Sequence, residues 1–103
     1  MKKTLVISGS AGSGKTTISK AIASMYEENE VAFASTLIPS GFSADSQKTK
    51  LIIFDEIPNE PDIILLNKSF KKMFRNTQII FCTQDQCINL WHHEEFSHVR
   101  LNS

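Results

Sequence analysis

The chain has 103 residues, an apolar fraction of 41%, and 11 Lys+Arg balanced by 11 Asp+Glu. This fits one small globular domain over residues 1–103 and excludes a disordered polyelectrolyte. It also excludes a global field that would hold the chain on nucleic acid or membrane, while leaving room for a local basic patch.

Cys82 and Cys87 are too few for the disulfide framework of a small secreted protein and point to a reducing compartment. The basic start "MKKTLVISG" carries only Leu5, Val6 and Ile7 as its apolar run, too short for a signal-peptide core. No apolar stretch approaches the roughly 20 residues of a membrane span. A cytoplasmic protein without a membrane partner is the expectation.

In chain order, Thr4 to Ser8 reads as a first strand, short, apolar and ended by glycine. From about Gly14 to Glu27 the spacing of Ile18, Ala21, Ile22 and Met25 predicts a helix with one apolar stripe. Val31 to Ser35 reads as a second strand. Thr36 to Lys50 is rich in turn formers and has room for at most a short helix. "LIIF", Leu51 to Phe54, is the continuous apolar run of a strand covered on both faces, as in parallel sheets. Asn59 or Glu60 caps the next helix with Pro61 at its start, and Ile63, Leu66, Phe70, Met73 and Phe74 form its buried stripe. Gln78 to Cys82 is a further buried strand, "DQCINLWHHEEF" has helical character, and "HVRLN" suits a last strand. Alternation of strands and helices predicts an α/β fold: an open, mainly parallel sheet with flanking helices in three layers, joined by right-handed crossovers. Ligands of such sheets bind beyond the carboxyl ends of the strands. "GSAGSGKT", "DE" and "TQ" each follow a strand there.

Gly9 to Thr16, "GSAGSGKT", fits G-x-x-x-x-G-K-[ST], the Walker A or P-loop pattern. A polyphosphate is bulky and anionic. Gly9, Gly12 and Gly14 let successive backbone N–H groups, that of Ser13 among them, approach it with no Cβ in the way. A helix beginning at this point adds free N–H groups and the positive end of its dipole. Lys15 then reaches the β- and γ-phosphates as a point charge, and the Thr16 hydroxyl suits Mg²⁺. A plain flexible turn is the alternative, but chance yields this pattern in only roughly a few chains per thousand of this length. "LIIFDE" adds two carboxylates at the end of a buried strand. Asp55 would hold Mg²⁺, and Glu56 would act as the base that orients water toward the γ-phosphate.

With these motifs the chain resembles the P-loop NTPases that carry an additional catalytic glutamate, which include AAA+ ATPases and the helicases of viral and plasmid replication proteins. The resemblance implies a strand order of about 5-1-4-3-2 and a strand between the Walker A and Walker B strands that ends in a polar sensor. "QIIFCTQ" is similar to that strand, so Thr83 or Gln84 would contact the γ-phosphate or the attacking water. Thr17 would approach the α-phosphate. ATP and Mg²⁺ are the implied ligands, and nucleic acid, further copies of the chain or a partner subunit are candidate partners. Most AAA+ modules are about twice as long and carry a helical lid that supplies an arginine. No room exists for one here, and hydrolysis is expected to need a ring or a partner, because an absent arginine finger costs about 10³–10⁵ in rate. Arg75 and Arg100 are the chain's arginines.

Two rival functions fit the same loop. One is a nucleotide or small-molecule kinase, against which stand the scarcity of arginine and the "DE" pair. The other is a nucleotide-binding regulatory subunit without turnover. Lys68, Lys71, Lys72 and Arg75 form a basic cluster on one predicted helix, readable as a phosphate contact or as a solvated face. Trp91, His92 and His93 suit base stacking or partial burial. Cys82, Cys87, His92, His93 and His98 match no standard zinc spacing. "NKSF" lacks the aspartate of the guanine-reading N-K-x-D, so adenine is preferred.

Overall fold

The computed structural model describes residues 3–34 and 48–101. Five parallel strands form one sheet: β1 (Thr4–Ser8), β2 (Val31–Ala34), β3 (Leu51–Phe54), β4 (Gln78–Thr83) and β5 (Phe96–Arg100). Their order is β2-β3-β4-β1-β5, or 5-1-4-3-2 from the opposite edge. β4 lies between β1 and β3, with Val6 beside Phe81 and Ile53 beside Ile80. Among the described residues the helices are α1 (Lys15–Ala23) and α2 (Glu60–Met73), and none is long and apolar enough to cross a membrane.

The alternation of side chains along each strand splits the core into two apolar layers. On one face Ile7, Leu51, Ile53, Ile80 and Cys82 meet Ile18, Ile22, Ala23 and Tyr26 of α1 and the turn after it. On the other, Val6, Ile52, Phe54, Ile79 and Phe81 meet Ile63, Leu66, Phe70 and Phe74 from α2. Phe54 is stacked on Phe81 at 4.8 Å and meets the edge of Phe70 at 5.0 Å. The helices thus cover opposite faces of an α/β sheet. Strands buried on both sides need apolar residues at every position, which is why β3 and β4 read as unbroken runs.

Several boundaries differ from the sequence expectation. Helix α1 stops at Ala23: the amides of Met25 and Tyr26 fall back to i−3 carbonyls, and Glu28–Glu30 makes a 3₁₀ turn closed by a reciprocal Glu27–Glu30 capping box. Met25 is therefore 75% exposed and Ala21 is exposed; Tyr26 packs in the position the stripe assigned to Met25. Helix α2 begins as expected, with the Asn59 side chain accepting from the Asp62 amide, but Pro61 stands second. Phe74 leaves the helical path and stacks on Phe70, which swings Met73 outward to 60% exposure.

"DQCINLWHHEEF" forms only a 3₁₀ turn at Ile88–Leu90. The Thr83 hydroxyl accepts from the Asp85 amide and the Asp85 carboxylate from the Cys87 amide, each at 3.0 Å, and Cys87 takes a left-handed φ of 50°. Such local side-chain bonds compete with helix hydrogen bonds. The last strand starts earlier than expected, at Phe96, and ends at Arg100. Ser35, residues 36–47 of the turn-rich stretch, and Asn102 lie outside the described residues.

One buried polar contact joins α2 to β1. The Thr4 hydroxyl donates to the Asn67 side-chain carbonyl, and both residues are almost fully buried. Asn67→Ala leaves that hydroxyl buried without its acceptor and is expected to destabilise the fold by about 1–3 kcal/mol. A urea-unfolding midpoint unchanged by the substitution would contradict this. Pairing it with Thr4→Val should recover part of the loss, because both polar partners are then gone.

Candidate functional site: the carboxyl edge of the sheet

In an all-parallel sheet every carboxyl end lies along one edge. Three consequences of that edge meet in a single open cleft of about 660 Å³, lined by Gly12, Gly14, Lys15, Thr16 and Thr17 of the glycine-rich loop, by Asp55 and Glu56 after β3, and by Gln84 after β4. Ala11, Ile57 and Pro58 complete its wall.

The loop leaves β1 tethered to β4, since the Gly9 amide donates to the Thr83 carbonyl at 3.1 Å. A Cβ on Gly9 would stand 2.5 Å from Ser13 Oγ and 3.0 Å from the Leu101 carbonyl oxygen, so no side chain fits there. Gly12 and Gly14 have φ of 80° and 97°, in the region that L side chains avoid. A Cβ at either would meet nothing within 4 Å. At these two positions glycine therefore answers to backbone conformation rather than to crowding by the protein. Ser13 turns its amide back to the Ser10 carbonyl, while its Oγ is buried without a partner among the described residues.

Gly14 then opens α1 with no side-chain cap, and no acidic residue stands in the first turn. The positive end of the helix faces the cleft uncompensated by a carboxylate of its own turn. Lys15, only 9% exposed, folds back over the loop and donates from Nζ to the carbonyls of Gly9 and Ser10, both at 2.8 Å. The ammonium is thus held at the mouth of the loop by two carbonyls. Thr16 and Thr17 are exposed on the cleft wall.

The acidic side is shaped by a tight crossing. The Asp55 amide donates to the Ala34 carbonyl of β2 at 2.7 Å, and the Ile57 amide donates to the Cys82 carbonyl of β4 at 2.9 Å. Ile57 is also buried. The backbone must turn from one neighbour of β3 to the other within a single intervening residue, and Glu56 absorbs the turn at a φ of 58°. A non-glycine residue held there costs on the order of 1–3 kcal/mol, a strain that concentrates at functional sites. The turn leaves Glu56 exposed in the cleft beside the half-buried Asp55.

Beneath the loop, Cys82 is fully buried between Ser19, Lys15 and Asp55. Burial pushes its thiol up to about 11, and the Asp55 carboxylate adds to the shift. The group stays protonated at neutral pH and serves as a small apolar residue. Of the two sensor candidates, Gln84 lines the cleft. Thr83 is fully buried, with its hydroxyl accepting from Asp85 below the cleft wall.

A smaller recess of about 380 Å³ adjoins the loop on its β5 side, lined in part by Ser8, Ser10, Gln84 and Arg100. The Arg100 guanidinium carbon sits 5.6 Å from the centre of the Trp91 ring, within cation–π range. Ser8 Oγ and His98 Nε2 are hydrogen-bonded at 2.7 Å, and burial, followed by the Arg100 charge, pushes the His98 pKa down, which favours the uncharged ring. Trp91 itself keeps 40% exposure and donates from Nε1 to the Gln86 carbonyl.

Sequence reasoning did not include Ile57, Pro58 or Ala11 in the site. The only signal for the first two was their position just after the acidic pair. Among the described residues no three His, Cys, Asp or Glu side chains gather as a metal cluster. No protein-family model, curated protein or solved structure matches this chain.

Proposed function

We propose that the chain binds Mg·ATP in the cleft at the carboxyl edge of the sheet and hydrolyses its terminal phosphate, as a P-loop NTPase of the AAA+/helicase-like kind. One observation carries the reading. A loop with two left-handed glycines, a folded-back lysine and an uncapped helix start opens on the same cleft as two adjacent carboxylates. The first set suits a polyphosphate and the second suits a hard cation and a water molecule. An uncapped, positively polarised helix end next to a carboxylate pair has no evident structural purpose without an anion and a cation between them.

Gly12, Gly14, Thr16 and Thr17 would present their amides to the phosphates, and Lys15 would exchange its loop carbonyls for phosphate oxygens. The donors suited to Mg²⁺ are the Thr16 hydroxyl and the Asp55 carboxylate, both hard oxygens that leave the remaining positions to phosphate and water. When bound, the ion supplies charge neutralisation across the β- and γ-phosphates. Glu56 orients a water, accepts one of its protons as the water oxygen bonds to the γ-phosphorus, and the bond to the β–γ bridging oxygen breaks to leave ADP and phosphate. Gln84, which lines the same cleft, would hydrogen-bond that water or a γ-oxygen. The adjacent carboxylates Asp55 and Glu56, and a chain whose arginines are Arg75 and Arg100 alone, favour water over transfer to a second substrate.

Calorimetric titration of the full chain with ATP and GTP, each with Mg²⁺, tests the binding half of this reading. A saturable signal for ATP is the expected result, and the absence of heat at millimolar nucleotide with the protein folded would end it. Phosphate release measured over a range of protein concentrations tests the second half and its dependence on assembly.

A further inference from the structure

The basic cluster of α2 is not absorbed by the nucleotide reading, and its surroundings give it a shape. Lys68, Lys71 and Lys72 follow the i, i+3, i+4 spacing of one face of α2, a row about 6 Å long at a rise of 1.5 Å per residue, and Arg75 stands in the turn just after the helix. They line a groove of about 780 Å³ together with the segment leading into β5, which contributes His93, Glu95 and Phe96, and with Ile64 of α2. Phe96 opens β5, so the groove lies at the amino-terminal edge of the sheet, the end opposite the glycine-rich loop.

We propose that this groove holds the sugar–phosphate backbone of a single-stranded nucleic acid. Four of the chain's 11 basic residues stand within eight positions although its net charge is zero. The basic charge is therefore concentrated at the groove, where four cations outnumber the one lining carboxylate, Glu95. Lys68, Lys72 and Arg75 are exposed and pair with no carboxylate among the described residues; Lys71 is partly buried and engaged within the fold. A row of cations along a channel matches a linear polyanion, where a compact ion would call for charges converging on one point. The channel is concave, which admits one strand and disfavours both a duplex and a flat lipid surface.

The exposed His93 ring is held at the rim by an edge contact to Phe96 at 5.2 Å and by the Glu95 amide, which donates to Nδ1 at 3.2 Å. A fixed ring beside a cationic row is the combination that single-strand sites use, charge for the backbone and a π-face for a base. An acidic peptide has no use for the ring.

The assay is fluorescence anisotropy of a labelled oligothymidylate of about 20 nucleotides with the full chain, nucleoside triphosphate omitted, over a salt series from about 50 mM upward. It does not depend on the nucleotide reading. Wild type is expected to bind saturably, with affinity falling steeply with salt. The triple variant Lys68→Ala, Lys72→Ala, Arg75→Ala should lose about tenfold or more at low salt, and its salt slope should shrink by roughly 0.7 per lost contact. His93→Ala should weaken binding at an unchanged slope. Lys20→Ala, which removes an exposed lysine of α1 outside the groove, should bind as wild type does. Every substituted residue is exposed, so each variant is expected to stay folded, which melting curves check. The proposal is overturned by absent saturable binding, by a triple variant with wild-type affinity and slope, or by a duplex or phosphatidylserine vesicles that compete as well as the single strand.

Discussion

Lys15→Ala is expected to weaken Mg·ATP binding by about 10- to 100-fold, the size of one charge-assisted contact to phosphate. Within the fold the lysine holds only its own loop. Its Nζ spends two of its three protons on the carbonyls of Gly9 and Ser10 at the mouth of the loop, within reach of the cleft that Gly12, Gly14 and Thr16 line. A phosphate arriving there would find the charge already in position, with little ordering entropy left to spend. Lys15→Arg should not restore binding, because the planar guanidinium is broader and the site is only 9% exposed. Loss of the two loop contacts should also lower the melting temperature, so the calorimetric titration belongs well below the variant's midpoint. A folded Lys15→Ala chain that binds Mg·ATP as tightly as wild type would remove the phosphate from this loop.

Glu56→Gln should leave binding nearly intact and reduce phosphate release by about 10²–10⁴, the usual worth of a positioned general base. Glutamine has the same shape and meets the same backbone demand at a φ of 58°, so the comparison isolates the carboxylate. The case for Glu56 rests on that backbone. Asp55 is tied to β2 and Ile57 to β4, and the residue between them is bent into a conformation that glycine or asparagine would adopt more cheaply. A glutamate kept there at a cost to stability, exposed in the cleft opposite Lys15, is best explained by its carboxylate. Should wild type bind Mg·ATP yet release no phosphate at any concentration, with or without single strands, the chain acts as a nucleotide-binding subunit, and only the hydrolytic half of the reading is lost.

The strands and the glycine-rich loop were legible in the sequence because their causes are local. β3 and β4 sit in the middle of the sheet with a helix on each face, so every residue of "LIIF" and most of "QIIFC" had to be apolar. Gly12 and Gly14 take positive φ, a demand that only glycine meets cheaply, and so the loop is written in glycine. The order Asp-Glu directly after a buried strand likewise placed both carboxylates at a strand end.

Other features needed the chain to be folded, since their causes lie between segments far apart in sequence. Met25 and Met73 fit the helical period but lie exposed, Tyr26 packing where Met25 was expected and Phe74 staying buried as expected, because packing against the sheet decides where each helix stops. The stretch after β4 has helical composition, yet Cys87 takes a left-handed φ of 50° and only a 3₁₀ turn follows it. The strain at Glu56 comes from two neighbouring strands holding the residues on either side of it, and the Thr4–Asn67 contact joins β1 to α2 across 63 positions of sequence. The basic residues of α2 were plain in the sequence. That they face a groove walled by His93 and Phe96 was decided by β5 lying at the sheet edge, and no local pattern encodes a neighbour 20 residues away.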